Sequence, residues 1–143
     1  MPSSVLIADD SHIVRKVIRN FFETLTDWKI AGEASDGTEA IQKAVELKPD
    51  LILLDFSMPN MNGIEAASVL KKALPDVYIV VFTAFDEHLG SKLRSVVGVD
   101  VFVSKSDGLT GLIKAIQGFM GTAGLIRIKV EATGQPTQET ALE

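Results

Sequence analysis

Short, wholly apolar runs alternate along this chain with stretches whose apolar residues recur at helical spacing. Val5-Leu6-Ile7-Ala8 reads as a buried strand that stops at Asp9 and Asp10. Ile13, Val14, Val17, Ile18, Phe21, Phe22 and Leu25 follow at helical spacing, and Ser11 stands where it can cap the helix they predict. Trp28 to Ala34 predicts a second strand and Asp36-Gly37 a turn. Ala40, Ile41, Ala44, Val45 and Leu47 mark a second helix, closed by Pro49. Leu51-Ile52-Leu53-Leu54 predicts a third strand with Asp55 at its end, and the Pro, Asn and Gly content of Met58 to Gly63 predicts a loop. Ile64, Ala67, Leu70 and Lys71 continue as a third helix that Pro75 closes off. Val77 to Phe82 predicts a fourth strand, followed by Thr83. Leu89, Leu93, Val96 and Val97 give a fourth helical pattern with Gly90 inside it and Gly98 as its terminator. Val101-Phe102-Val103 is the fifth apolar run, before Ser104 and Lys105, and Leu109, Leu112, Ile113, Ile116 and Phe119 or Met120 form the last helix.

Five strands alternating with five helices predict an α/β fold: a doubly wound, five-stranded parallel sheet with helices on both faces. The strands are solid apolar runs rather than alternating ones, as burial on both faces requires. Right-handed crossovers leave few topologies, of which the order 2-1-3-4-5 is the expectation. Residues 1–120 then make one domain, and from Gly121 the composition shifts. In this extension, 121–143, Ile126 to Glu131 alternates apolar and polar residues, which fits a short strand or chance alternation in an unstructured tail. The polar run Gly134 to Thr140 reads as disordered.

Composition narrows the function. With 143 residues, 46% of them hydrophobic and 23% charged, the chain can bury one good core and is not a disordered one. Its net charge of −5 gives no help to nucleic-acid binding, so no nucleic-acid contact by this chain is expected. It has no cysteine, hence no disulfide framework and no thiolate metal site. No apolar run approaches the ~20 residues that span a bilayer, and the first residues lack the basic stretch of a secretory signal. A cytoplasmic protein without a membrane partner is the expectation. His12 and His88 lie far apart with no ligand spacing and read as surface residues.

The candidate chemistry sits where the strands end. In open parallel sheets, ligands bind beyond the carboxyl ends of the strands, where strand order reverses. Asp9-Asp10, Asp55, Thr83 and Lys105 each follow an apolar run at such an end. In the order 2-1-3-4-5 the first and third strands are neighbours, so Asp9, Asp10 and Asp55 converge in one cleft. Three clustered carboxylates repel one another and call for a counter-charge. A hard divalent cation such as Mg²⁺ takes one or two carboxylates together with phosphate oxygens. A carboxylate can also act as a nucleophile to form an aspartyl phosphate. Phosphoryl transfer needs positioning and charge neutralisation, which a metal, a Lys ammonium and a Thr hydroxyl supply. Taken singly, Asp9-Asp10 would be helix-terminus electrostatics, Thr83 an ordinary strand residue and Lys105 a solvated charge. Their joint placement carries the reading.

Asp9-Asp10-Ser11, Asp55 with Met58-Pro59 and Gly63 downstream, Thr83-Ala84 and Lys105 resemble, in order and spacing, the response regulator receiver family, from about Val5 to about Met120. The resemblance implies that Asp55 accepts a phosphoryl group from a phosphohistidine on a sensor histidine kinase or phosphotransfer protein. It implies Mg²⁺ held by Asp10, Asp55 and the backbone carbonyl of Ser57, with Asp9 helping. Thr83 is expected to hydrogen-bond the phosphoryl group and Lys105 to pair with it. Phe102 lies at the family's rotating aromatic, so Thr83 and Phe102 are expected to move together and change the surface of the fourth helix, fifth strand and fifth helix. By its packing alone, Phe102 is a core residue. A homodimer is compatible with such a switch, although no sequence feature fixes the oligomer.

Ser106 departs from the family's common proline after Lys105, so a trans bond is expected there. The Lys-Ser pair is more similar to receivers that precede LuxR-type DNA-binding domains. Only 23 residues follow Met120, which leaves a stand-alone receiver or a truncated chain. Phe85, beside Thr83, is expected to limit water access to a phosphorylated Asp55. Two other functions compete. An Asp-nucleophile phosphohydrolase typically has a second acid two residues after its nucleophile, where this chain has Ser57. A phosphorylation-independent interaction module would have no use for the complete acidic set. Nucleotide binding is weaker still, because no Gly-rich loop follows the first strand.

Overall fold

The computed structural model describes residues 3–56, 58, 63–84 and 98–120. Five strands, β1 (Ser4–Ala8), β2 (Lys29–Ala34), β3 (Leu51–Leu54), β4 (Tyr78–Thr83) and β5 (Val101–Ser104), form one sheet. Its order is β2-β1-β3-β4-β5, and every neighbouring pair is parallel. The described helices are α1 (His12–Leu25), α2 (Gly37–Leu47), α3 (Gly63–Ala73) and α4 (Gly108–Met120), with a 3-10 turn at Lys105–Asp107. The helix predicted around Leu89 to Val97 and the extension 121–143 lie outside the described residues.

Alternation along each strand divides the core in two. Val5, Ile7, Leu51, Leu53, Val80, Phe82 and Val103 pack on one face with Ile18, Phe21 and Phe22 of α1 and Leu112, Ile113 and Ile116 of α4. Leu6, Ala8, Ile52, Leu54, Ile79 and Val81 pack on the other with Ala40 and Ala44 of α2 and Ala66, Ala67 and Leu70 of α3. Both faces are therefore dry, and this is why the strands are apolar without interruption. The small residues of α2 and α3 let those helices lie close to the sheet, whereas the opposite face is filled by large rings. Phe22 meets Phe21 edge-on, and Trp28 packs 6.2 Å from Phe22.

The Ser11 cap is as expected, while the Asp36-Gly37 turn proves to be the cap and first residue of α2. Ser11 Oγ accepts from the Val14 amide, and Asp36 Oδ1 accepts from the Glu39 amide. Helix α2 already ends at Lys48, which adopts φ 48°, one residue before Pro49. Four strand boundaries and two helix faces differ from the sequence reading. Trp28 precedes β2 and turns its ring into the core instead of pairing. Strand β4 runs from Tyr78, not Val77, and Thr83 is its last residue rather than its successor. Strand β5 likewise includes Ser104. Ile13, Val17, Val45 and Leu47, read as part of the apolar stripes, are 72%, 48%, 48% and 41% exposed, because each helix turns a narrower arc to the sheet than its apolar pattern covers.

The return into β5 is tightly held. Gly98 has φ 99°, and a β-carbon there would lie 2.8 Å from the Ala67 carbonyl oxygen of α3. Asp100 then accepts from the Ile79 amide at 2.8 Å and pairs with Lys71 at 2.8 Å.

Candidate functional site

The sheet ladder carries two of the acids past the strand ends. The Asp9 amide donates to the Ala34 carbonyl at 3.0 Å, and the Asp55 amide donates to the Ala8 carbonyl at 2.9 Å. Asp9 and Asp55 thus leave neighbouring strands side by side. Carboxylate oxygens of Asp9, Asp10 and Asp55 come within 4.8 Å of one another. The convergence expected from the strand order is met by all three acids. Asp9 and Asp55 are 2% and 3% exposed, whereas Asp10 faces solvent.

The cation and hydroxyl read from the sequence reach the same cluster. Thr83, at the end of β4, donates from Oγ1 to Asp55 Oδ1 at 2.6 Å. Lys105, just after β5, places Nζ 2.7 Å from Asp9 Oδ2 and 3.4 Å from Asp55 Oδ2. The closer pairing with Asp9 is not legible in the sequence, from which Lys105 is expected to pair with the phosphoryl group. Asp9 also accepts from the Ser11 amide at 2.9 Å. Burial pushes the Asp9 carboxyl up from its ordinary 3.8; the Lys105 and Ser11 hydrogen bonds oppose that shift, and the Asp55 charge adds to it. Burial works against the Lys105 ammonium, but its hydrogen bond to Asp9 and the charges of Asp55 and Asp9 outweigh it and raise its pKa from 10.5.

This donor set suits a hard divalent cation. It offers only oxygens, three carboxylates share one small volume, and among the described residues the Lys105 ammonium pairs with two of them, Asp9 and Asp55. The excess negative charge in a mostly buried cluster is the physical reason a cation would be drawn there. Ser57, whose carbonyl was matched to the metal, and Phe85, matched to the water path, lie outside the described residues, as does His88. His12 is exposed on α1, away from any ligand cluster among the described residues.

Phe102 is partly buried at the edge of the α2–α3 core and meets Phe56 edge-to-face, with ring centroids 6.1 Å apart. It is a rim residue rather than the core residue its apolar run suggests. Phe56 directly follows Asp55, so the contact joins the neighbour of the candidate acceptor to the candidate switch. No sequence signal marks it, since β4 stands between the two strands that carry these rings. The peptide bonds of the described residues are all trans, the one before Ser106 included. Sequence reasoning also passed over Arg15 and Glu33. Arg15 Nη1 donates to the Asp9 carbonyl at 2.6 Å, and its Nε donates to Glu33 Oε1 at 2.9 Å.

Comparison with known proteins agrees with this geometry. The family profile described as response regulator receiver domain matches residues 5–117. The response regulator protein VraR of Staphylococcus saprophyticus is 40% identical over 119 residues, covering 82% of this chain and 56% of that protein. VraR of Staphylococcus epidermidis is 39% identical over the same length and with the same coverage. The chain thus spans about half the length of these curated relatives. Among solved structures, the REC domain of AraT, a response regulator from Geobacillus stearothermophilus, superposes with a TM-score of 0.72 at 27% identity, covering 94% of this chain and 100% of that one. The response regulator domain of Thermotoga maritima CheB superposes with a TM-score of 0.64 at 36% identity, covering 73% and 79%.

Proposed function

The chain belongs to the response regulator receiver family of two-component signalling, and from that premise we propose that Asp55 is its phosphoacceptor. The observation that carries the assignment is the shared set of contacts on one carboxylate: Thr83 on Oδ1 and Lys105 on Oδ2, with Asp9 and Asp10 alongside. A carboxylate oxygen of Asp55 attacks the phosphorus of a phosphohistidine. The phosphorus–nitrogen bond breaks, its electron pair returns to the imidazole, and the phosphoryl group remains on Asp55 as an acyl phosphate. The donor is a sensor histidine kinase or a phosphotransfer protein.

Asp9, Asp10 and Asp55, with the backbone carbonyl of Ser57, are the residues we assign to Mg²⁺. When bound, Mg²⁺ supplies charge neutralisation for the acids and the phosphoryl oxygens. The Lys105 ammonium, held between Asp9 and Asp55, supplies a further positive charge beside the transferred group. Thr83 already donates to Asp55, and transfer gives its hydroxyl a phosphoryl oxygen to follow. A displaced Thr83 frees space next to β5, and Phe102 is the side chain we assign to fill it. The phosphoryl contacts thereby bias a two-state surface.

We read the chemistry as confined to Asp55 itself, with self-phosphoryl transfer and autodephosphorylation but no turnover of outside substrates. Residues 1–120 are the receiver and 121–143 an extension, in a cytoplasmic protein able to dimerise. Among the described residues no helix is long and apolar enough to cross a membrane. Incubation with Mg²⁺ and acetyl phosphate, followed by intact-mass measurement, tests the assignment. The wild type gains one phosphoryl group and Asp55→Asn gains none. A wild type of unchanged mass, or an Asp55→Asn protein that is modified equally, overturns it.

A further inference from the structure

We propose that Arg15 is a positioning residue for the divalent cation, acting through the peptide that joins Asp9 to Asp10. The proposal rests on the Mg²⁺ assignment above and extends it to a residue that touches neither metal nor phosphate. The Asp9 carbonyl and the Asp10 amide belong to one rigid peptide plane. Fixing the direction of that carbonyl therefore fixes where the Asp10 backbone, and so its exposed carboxylate, begins. Arg15 Nη1 holds the carbonyl at 2.6 Å. On the other side of Asp9, the amide is held by the Ala34 carbonyl at 3.0 Å.

Both restraints originate in the end of β2. Ala34 supplies one acceptor directly, and its neighbour Glu33 aims Arg15. Glu33 Oε1 takes Arg15 Nε at 2.9 Å and Oε2 takes Arg19 Nε at 2.6 Å, while Lys43 donates to the Glu33 carbonyl. The Arg15 fork is thus filled along two directions: one nitrogen on the carboxylate and another on the carbonyl. Its side chain is only 15% exposed, so the arrangement is sheltered from water. Asp10 is the exposed member of the acidic cluster and has the most freedom to lose. Groups that orient metal ligands from one step away act in this manner.

The sign of the effect separates positioning from plain electrostatics. Removing a cation near an acidic site should, by charge alone, tighten Mg²⁺ binding. Removing a positioning group should weaken it. The test is calorimetric titration of Mg²⁺ alone into the full chain, comparing wild type, Arg15→Met, Arg15→Lys and, as the control, Arg19→Met. Arg19 shares Glu33 and also pairs with Glu23, but has no hydrogen bond to Asp9, so its loss removes charge and ion pairs without removing the restraint on the carbonyl.

Arg15→Met is expected to weaken Mg²⁺ binding by about tenfold, in the range found for outer-shell partners, with Arg19→Met close to wild type. Arg15→Lys keeps the charge but has no planar fork to serve both acceptors, and it too binds more weakly. Should Arg15→Met fail to fold, Arg15→Lys decides alone. Mg²⁺ affinity that is unchanged or tighter in a folded Arg15 variant overturns the proposal, as does an equal loss in Arg19→Met. A wild type that does not bind Mg²⁺ overturns the parent assignment and the proposal with it. A wild type that binds while the Arg15 variants bind equally well overturns the proposal alone.

Discussion

Replacing Lys105 by Met tests whether the ammonium is what allows the site to keep its acids buried. Met preserves most of the aliphatic stem and removes the charge. At an effective dielectric of about 20, unit charges attract by about 6 kcal/mol at the 2.7 Å separation from Asp9 and by about 5 kcal/mol at the 3.4 Å separation from Asp55. The repulsion these contacts offset is at least about 3 kcal/mol for two carboxylate charges within 4.8 Å. The net change is smaller than these gross values, because the Lys105 side chain is 23% exposed and its transfer into the site carries a desolvation cost. The variant also has an escape: Asp9, whose carboxyl is already pushed up by burial, takes a proton. We expect a loss of about 2–3 kcal/mol at about pH 7, at or below the ~3–5 kcal/mol that deleting one partner of a fully buried pair costs. The sign of the pH dependence follows from linkage. Without Lys105 the Asp9 pKa rises further above its unfolded value, so the variant's deficit grows as pH rises and shrinks as pH falls toward about pH 5. Urea unfolding in chelator, followed by Trp28 fluorescence, measures both, since Trp28 is buried against Phe22 away from the site. A deficit under about 1 kcal/mol at both pH values would refute the claim that Lys105 supports the acids.

Two further outcomes are expected. The folded-state pKa of Asp9 lies above 3.8, so its contribution is most favourable at low pH and is lost as pH rises through the raised value. In chelator, Asp9→Asn should therefore gain stability relative to wild type between about pH 4 and about pH 7; parallel urea midpoints across that range would count against it. Gly98→Ala should lose about 2–4 kcal/mol, because the added carbon meets the Ala67 carbonyl oxygen at 2.8 Å on a backbone with φ 99°. An unchanged melting temperature for that variant would show that the return into β5 can shift without cost.

The fold was legible because both faces of the sheet are covered, which turns each strand into an unbroken apolar run such as Leu51–Leu54. Ser11 marked the first helix start, whereas Asp36, read as part of a turn, turned out to cap the second. Boundaries slipped where a side chain, not the backbone, seeks the core. Trp28 has strand-like composition, but its ring is better buried against Phe22 than stacked on a sheet edge. Of the site, Asp9, Asp10, Asp55, Thr83 and Lys105 were legible because each interrupts or ends an apolar run. Arg15 was not, because an Arg within an amphipathic helix looks like any solvated charge. Only the fold shows that its stem lies over the end of β2 and its fork reaches a backbone carbonyl, an acceptor that every residue carries and that no sequence pattern marks. The Phe56–Phe102 contact was hidden for a similar reason: it joins residues that are 46 positions apart and become close only through the β3-β4-β5 order.

The same physics sets the acidic site apart from the rest of the domain. Elsewhere in the domain, local preference and tertiary packing agree: the caps are satisfied, and none of the buried side-chain polar atoms lacks a partner among the described residues. At the strand ends they conflict. Asp9 and Asp55 are nearly as buried as the leucines behind them, yet among the described residues it is the Lys105 ammonium that pairs with both. That conflict is held in place by some of the strongest restraints in the fold, the parallel ladder continuing through the Asp9 and Asp55 amides. A cluster so restrained cannot relax by moving apart. It can be relieved only by adding positive charge or by covering a carboxylate, and a metal with a phosphoryl group does both. On the proposed function, the mismatch between burial and charge is in place before phosphorylation, and Mg²⁺ with the phosphoryl group is what would relieve it.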